Sequence, residues 1–203
     1  MKIIDLFSGI GGFALGFQQA GYLFTEHYFS EINKKAIANY KHNFPNAKYL
    51  GNIKTIQPAD LAGADIITFG SPCQDFSMAG RRAGLSGAKS SLIEYAIALI
   101  ACVRPSVFIW ENVKGVLSSN TGADFWEIIK ALTNIGGYTI EWQLLNTAGY
   151  YPKIESACTL SDILQDEVHQ EYFLSQKMIA FLQQKRKVNH KPKLVPHSKP
   201  MAI

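Results

Sequence analysis

The sequence predicts an α/β protein built on a doubly wound, mostly parallel sheet, and three observations lead there. Short apolar runs alternate with segments of helical character along the first three quarters of the chain. The turns between them are short and marked by Gly or Pro. Polar residues of chemical interest follow the apolar runs directly, where an open parallel sheet places its ligand-binding edge.

Taken in order, Lys2 to Phe7 is an apolar run that stops at a glycine cluster. Phe13, Leu15 and Phe17 then belong to a helical segment ending near Gly21. Leu23 to Ser30 reads as a second strand closing on Glu31, and Lys34 to Phe44 as a helix stopped by Pro45. Asp65 to Phe69 is a third strand, followed by a loop rich in Gly, Ser and Arg from Gly70 to Ser90. Ser91 to Val103 is apolar nearly all round, as a buried helix is, and Arg104-Pro105 ends it before the strand Val107 to Trp110. A helix around Phe125 to Leu132, a turn at Gly136-Gly137 and a strand from Thr139 to Leu145 complete the pattern.

Beyond Asn146 the character changes, and two short helices are expected. Thr159 and Asp162 have capping-box spacing, and Ser175 can cap Gln176 to Gln184, where Met178, Ile179 and Leu182 form an apolar stripe. The expected organisation is a main domain over residues 1–150, a linker with short helices over 151–184, and a basic tail over 185–203. Six of the 20 basic residues lie in that tail and none of the 16 acidic ones does. Interrupted by Pro192, Pro196 and Pro200, it is expected to be disordered; contact with phosphates and a merely solvated chain end are both open to it.

Composition narrows the class. With 47% hydrophobic and 18% charged residues, the chain has the profile of a globular domain. No apolar run approaches the roughly 18 residues of a membrane span, and the N-terminus lacks a signal-peptide profile, so a cytoplasmic location is expected. Three cysteines without a CxxC pair offer neither a disulfide framework nor a zinc site, and no metal is expected. Any cysteine chemistry must come from a single thiol.

Three segments carry that chemistry. In Asp5-Leu6-Phe7-Ser8-Gly9-Ile10-Gly11-Gly12-Phe13 the glycines let a ligand approach the backbone, while the helix that follows offers free N–H groups. Glu31 lies roughly 20 residues on, where a ribose-binding acid belongs, able to accept from both hydroxyls. The same glycines fit a dinucleotide turn through Gly9, Gly11 and Ala14, and also a purely steric one.

The second segment is Gly70-Ser71-Pro72-Cys73-Gln74-Asp75-Phe76-Ser77. A lone cysteine is usually a small buried hydrophobe, as Cys102 within an apolar helix and Cys158 in the linker are expected to be. Cys73 differs, because it follows a proline in a polar loop at the ligand edge. The third is Trp110-Glu111-Asn112-Val113, which puts a carboxylate on the same edge as a potential acid, or as a simple helix cap.

In this order and spacing the segments resemble the DNA cytosine-5 methyltransferases, whose hallmarks are a DLFxGxGG loop, a carboxylate ending the second strand, a PCQ loop and an ENV triplet. All four are present, over roughly the first three quarters of the chain. The resemblance implies the Rossmann-like fold of S-adenosylmethionine-dependent methyltransferases and S-adenosyl-L-methionine as cofactor. Phe7 would lie near its adenine, Ser8, Gly9, Ile10, Gly11 and Gly12 around its methionine portion, and Glu31 on its ribose. Ile32, Ile53, Pro72 and Leu92 would complete the pocket. Asn52 stands where the family usually has an aspartate accepting from the adenine amine, and its amide oxygen can still accept.

The implied reaction methylates C5 of cytosine in double-stranded DNA, with the base flipped out. Cys73 would be the nucleophile toward C6 and Glu111 the acid at N3. Gln74, Ser77, Arg81, Arg82 and Asn112 would contact DNA, the two arginines in a loop that reads as a basic lid or as ordinary surface. The setting would be restriction-modification or a phage.

The chain departs from the family after Pro152, where Lys153-Ile154-Glu155-Ser156 stand in place of a QxRxR segment. The expected final strand, most of the target-recognition region and the closing GN-containing motif are not recognisable either. A junction near Pro152 to Cys158 reads as an internal deletion that joins the catalytic core to a remnant of the recognition region, with a genuinely minimal family member as the alternative. Three readings follow: an enzyme completed by a second polypeptide, a remnant that only binds cofactor or DNA, and, more remotely, a nicotinamide-dependent dehydrogenase.

Overall fold

The computed structural model describes residues 1–72, 92–145 and 157–164. Its centre is one seven-stranded sheet in the order β3-β2-β1-β4-β5-β7-β6. The strands are β1 (Lys2–Leu6), β2 (Glu26–Ser30), β3 (Lys48–Tyr49), β4 (Ile66–Gly70), β5 (Val107–Val113), β6 (Tyr138–Leu145) and β7 (Ala157–Leu164). From β3 to β5 every pairing is parallel, and β7 runs antiparallel to both of its neighbours.

The helices are α1 (Gly12–Gln19), α2 (Lys34–Asn43), α3 (Leu92–Val103) and α4 (Ala123–Thr133). Their packing makes the sheet doubly wound. On one face Ile4, Leu6, Ile67, Phe69, Phe108 and Trp110 meet buried residues of α3 and α4. On the other, alternate residues Ile3, Ile66, Val107 and Ile109 pack with Phe17 of α1, while Phe29 packs with Tyr40 and Phe44 at α2. Capping sets α2 in place: Asn33 Oδ1 accepts from the N–H groups of Lys35 and Ala36 at 2.9 and 3.3 Å.

The predicted strands and helices within residues 1–145 are all present, with ends shifted by up to three residues. β5 continues through Glu111, Asn112 and Val113 because β7 pairs with it along that whole length. The two-residue β3 and the 3-10 turns Ile53–Thr55, Pro58–Leu61 and Lys114–Gly122 were not foreseen.

The C-terminal expectation needs correction. Thr159 to Asp162 is not the start of a helix but the middle of β7. The expected final strand, unrecognisable in sequence, is thus present, and the main domain extends past residue 150 to at least Leu164. β7 fills the slot between β5 and β6, where its backbone satisfies two ladders at once, and that outweighs a local capping signal. The sheet edge on that side belongs to β6. The predicted helix Gln176–Gln184 and the basic tail lie outside the described residues. Among those described, no helix is long and apolar enough to cross a membrane.

Candidate active site

Because β1, β2, β4 and β5 are parallel, the segments that follow them emerge on one edge, and the hydrogen bonds there knit them together. The Ser8 N–H donates to Ser30 O at 3.0 Å, tying the loop after β1 to the end of β2. Ser30 Oγ donates to Gly51 O at 2.8 Å and brings in the turn after β3. Glu31 completes the tie, with Oε2 accepting from the Gly9 N–H at 2.9 Å. Its Oε1 accepts from the N–H groups of Ile32 and Asn33 at 2.7 and 2.9 Å.

A carboxylate has about four acceptor positions, and three of those of Glu31 are in use. Asn52 is likewise partly engaged: Oδ1 accepts from the Lys54 N–H at 3.0 Å, starting the turn Ile53–Thr55.

The glycine loop is built for close approach. Gly9 has φ +54 and a Cβ there would meet nothing within 4 Å, whereas at Gly11, φ +92, it would lie 2.4 Å from Phe44 Cε2. Gly9 therefore leaves open space, while Gly11 lets α2 pack on the loop. Phe7 also takes a left-handed φ of 51, a conformation that non-glycine residues adopt at some cost and that is often found at functional sites. Ser8 Oγ is, among the described residues, the buried side-chain polar atom without a hydrogen-bond partner. Ile10 and Ile32 are exposed, whereas Ile53 is buried and Pro72 and Leu92 are half-buried.

Beneath the loop lies a polar network that the sequence did not announce. Asp5, fully buried, accepts from Thr68 Oγ1 at 2.9 Å and from Tyr40 Oη at 3.1 Å. Tyr40 Oη lies 2.7 Å from His27 Nε2. Burial pushes the Asp5 carboxyl up to about 7, partly offset by its Thr68 and Tyr40 hydrogen bonds. Burial also pushes His27 down to about 4.

On the other half of the edge, β4 and β5 stay in register to Gly70 opposite Glu111. A Cβ on Gly70 would lie 3.2 Å from Glu111 Oε2, so this carboxyl rests over the glycine at the root of the Pro72-Cys73 loop. Burial raises its pKa, favouring the protonated form. Asn112 is 1% exposed, and its side-chain amide donates a hydrogen bond within the protein. Ser71, which the sequence offered only as part of the loop, is its partner. Cys73, Gln74, Ser77, Arg81 and Arg82 lie outside the described residues, as does the expected lid.

Comparison with known proteins adds to this geometry. A family model described as C-5 cytosine-specific DNA methylase matches residues 1–153. The chain is 36% identical over 151 residues to the type II methyltransferase M.Bsp6I of Bacillus sp. (strain RFL6), covering 74% of this chain and 47% of that protein. It is 29% identical to the type II methyltransferase M.NlaX of Neisseria lactamica over 211 aligned positions, covering 93% of this chain and 67% of that protein. That alignment is longer than the chain, so M.NlaX carries residues without a counterpart here. Among solved structures, a variant of Spodoptera frugiperda DNMT2 matches with a TM-score of 0.63 and 24% identity over 82% of this chain and 50% of that one, which shows the fold. The chain spans about half the length of the first curated relatives it matches.

Proposed function

The chain belongs to the C-5 cytosine-specific DNA methylase family, and from that membership we propose that it methylates C5 of cytosine in DNA through a covalent bond from Cys73 to C6. The observation that carries the proposal is the placement of Glu111: a half-buried residue whose carboxyl has a raised pKa and rests on the glycine three residues before Cys73.

The donor site fits S-adenosyl-L-methionine. Ser8 Oγ is a buried hydroxyl in need of a partner, Gly9 leaves the loop open to a ligand, and Glu31 keeps an acceptor position for a ribose hydroxyl. Phe7, Ile10, Gly11, Gly12, Ile32, Asn52, Ile53, Pro72 and Leu92 would surround it. The cofactor, when bound, supplies an electrophilic methyl group.

The chain's own residues have the harder task, because C5 of cytosine is a weak nucleophile. The Cys73 thiolate adds to C6 while the Glu111 carboxyl donates at N3, and the electron pair freed from the 5,6-double bond is raised on C5. Once C5 is substituted, its proton passes to solvent water, the electron pair restores the double bond and expels the Cys73 thiolate, and N3 returns its proton to the Glu111 carboxylate. The target base must be flipped out, and Gln74, Ser77, Arg81 and Arg82 are the residues proposed to hold the DNA.

A second polypeptide that supplies a recognition surface is part of the proposal. The alternative is a chain that binds cofactor or DNA without turnover. Incubation with labelled S-adenosylmethionine and genomic DNA, followed by nucleoside analysis, tests the reading. Label in 5-methylcytosine is expected; tight cofactor binding with no label in any base, with or without the relatives' recognition region added, would leave that alternative.

A further inference from the structure

The backbone ladder between β4 and β5 ends at Gly70 and Glu111. The next residues of the β4 chain are Ser71 and Pro72, and proline has no N–H with which to continue a ladder. The root of the Cys73 loop therefore needs another hold, and side chains provide it. Ser71 Oγ accepts from Trp110 Nε1 at 2.9 Å and from Asn112 Nδ2 at 3.0 Å.

The hold is dry and rigid. Ser71 is 5% exposed, Asn112 1% and Trp110 0%, so water does not compete for the hydroxyl. Asn112 Oδ1 accepts from the Val113 N–H at 2.8 Å, which fixes the orientation of the amide. Trp110 and Asn112 flank Glu111 in β5, and by strand alternation they share the face opposite to it. The loop root is gripped through Ser71 on one face of the strand while Glu111 bears on Gly70 from the other.

We propose that Ser71 is a positioning residue, which through Trp110 and Asn112 fixes the distance between the Cys73 loop and the strand carrying Glu111. It touches neither substrate nor cofactor, and its role rests on the reading of Cys73 and Glu111 given above.

The test uses the full chain, Ser71→Ala, Ser71→Thr and Trp110→Phe. Three quantities are read: the single-turnover rate of adduct formation on DNA carrying 5-fluorocytosine, the dissociation constant for S-adenosylmethionine, and hydrogen exchange in the peptide covering residues 70–76. Ser71→Ala is expected to slow adduct formation about 10²-fold, the scale of an ångström's misplacement. Exchange in 70–76 should rise about tenfold, with exchange in β1 and the cofactor constant unchanged. Trp110→Phe, which removes one donor and keeps the ring, should do the same to a lesser degree, and Ser71→Thr should recover the rate by restoring the hydroxyl. An unchanged rate and unchanged exchange in Ser71→Ala would overturn the proposal, as would a parallel loss of cofactor affinity. If the parent chain forms no adduct but exchange responds as expected, the methyl-transfer reading fails and the anchor stands.

Discussion

Glu111 shows how a single residue acquires its chemistry from its neighbours. Its carboxyl rests against Gly70, and desolvation raises its pKa, the direction that the proposed donation to a ring nitrogen needs. Glu111→Gln keeps the size and a donor but has no acid proton. It is expected to lower the methylation rate by roughly 10² to 10⁴ with cofactor affinity unchanged, as kinetics beside equilibrium binding would show. Asp5 and His27 pose a different problem, since each is held away from its ordinary range. The folded chain keeps a proton on Asp5 that the unfolded chain releases, so this group withdraws stability as pH rises from 3.8 to about 7, at up to about 1.4 kcal/mol per pH unit. His27 is kept neutral while the unfolded chain takes up a proton, so it withdraws stability as pH falls from 6.5 to about 4. The two oppose each other over their shared window. Asp5→Asn should expose a thermal midpoint that falls on acidification below pH 6.5, and His27→Gln one that falls on alkalinisation from pH 4 to 7. Parent-like profiles in both variants would contradict this account. Cys73 and Glu111 stand out in sequence because their types carry reactivity, while the contacts of Ser71 and Asp5 come from partners on other elements, which no local pattern encodes.

At the scale of elements, the glycine loop and α2 depend on each other. Gly11 accepts the ring of Phe44 where a Cβ would collide with it, and its φ of +92 is itself unfavourable for other residues. Gly11→Ala is expected to destabilise the chain by about 1–3 kcal/mol from overpacking, and to weaken S-adenosylmethionine binding, measurable by thermal unfolding and calorimetry. The helices were readable because their signals are local: Asn33 caps α2 and Pro45 follows its end. β3 escaped notice because two residues give no periodicity. β7 escaped because Thr159 and Asp162 satisfy a helix-cap spacing, and only the vacant lane between β5 and β6 makes a strand the better arrangement.

For the molecule as a whole, β7 decides whether the far half of the sheet holds together. It pairs along its length with β5, the strand that holds Glu111, and with β6, which would otherwise have no neighbour. A proline at Leu160, which faces Trp110 on one side and Trp142 on the other, is expected to remove ladder hydrogen bonds in a strand without a free edge. Loss of cooperative unfolding is the expected result, read by circular dichroism; a parent-like melt would show that β7 is dispensable. The parallel sheet was legible because alternation of strand and helix leaves few topologies open. The placement of its antiparallel member was not, since it depends on residues far apart in sequence. The central claim concerns Cys73, and it is tested most directly by incubating the chain with S-adenosylmethionine and DNA carrying 5-fluorocytosine, where the C5 proton cannot be lost. A denaturant-resistant protein–DNA complex that disappears in Cys73→Ala is the predicted result; no complex, or one that survives that substitution, would contradict the account.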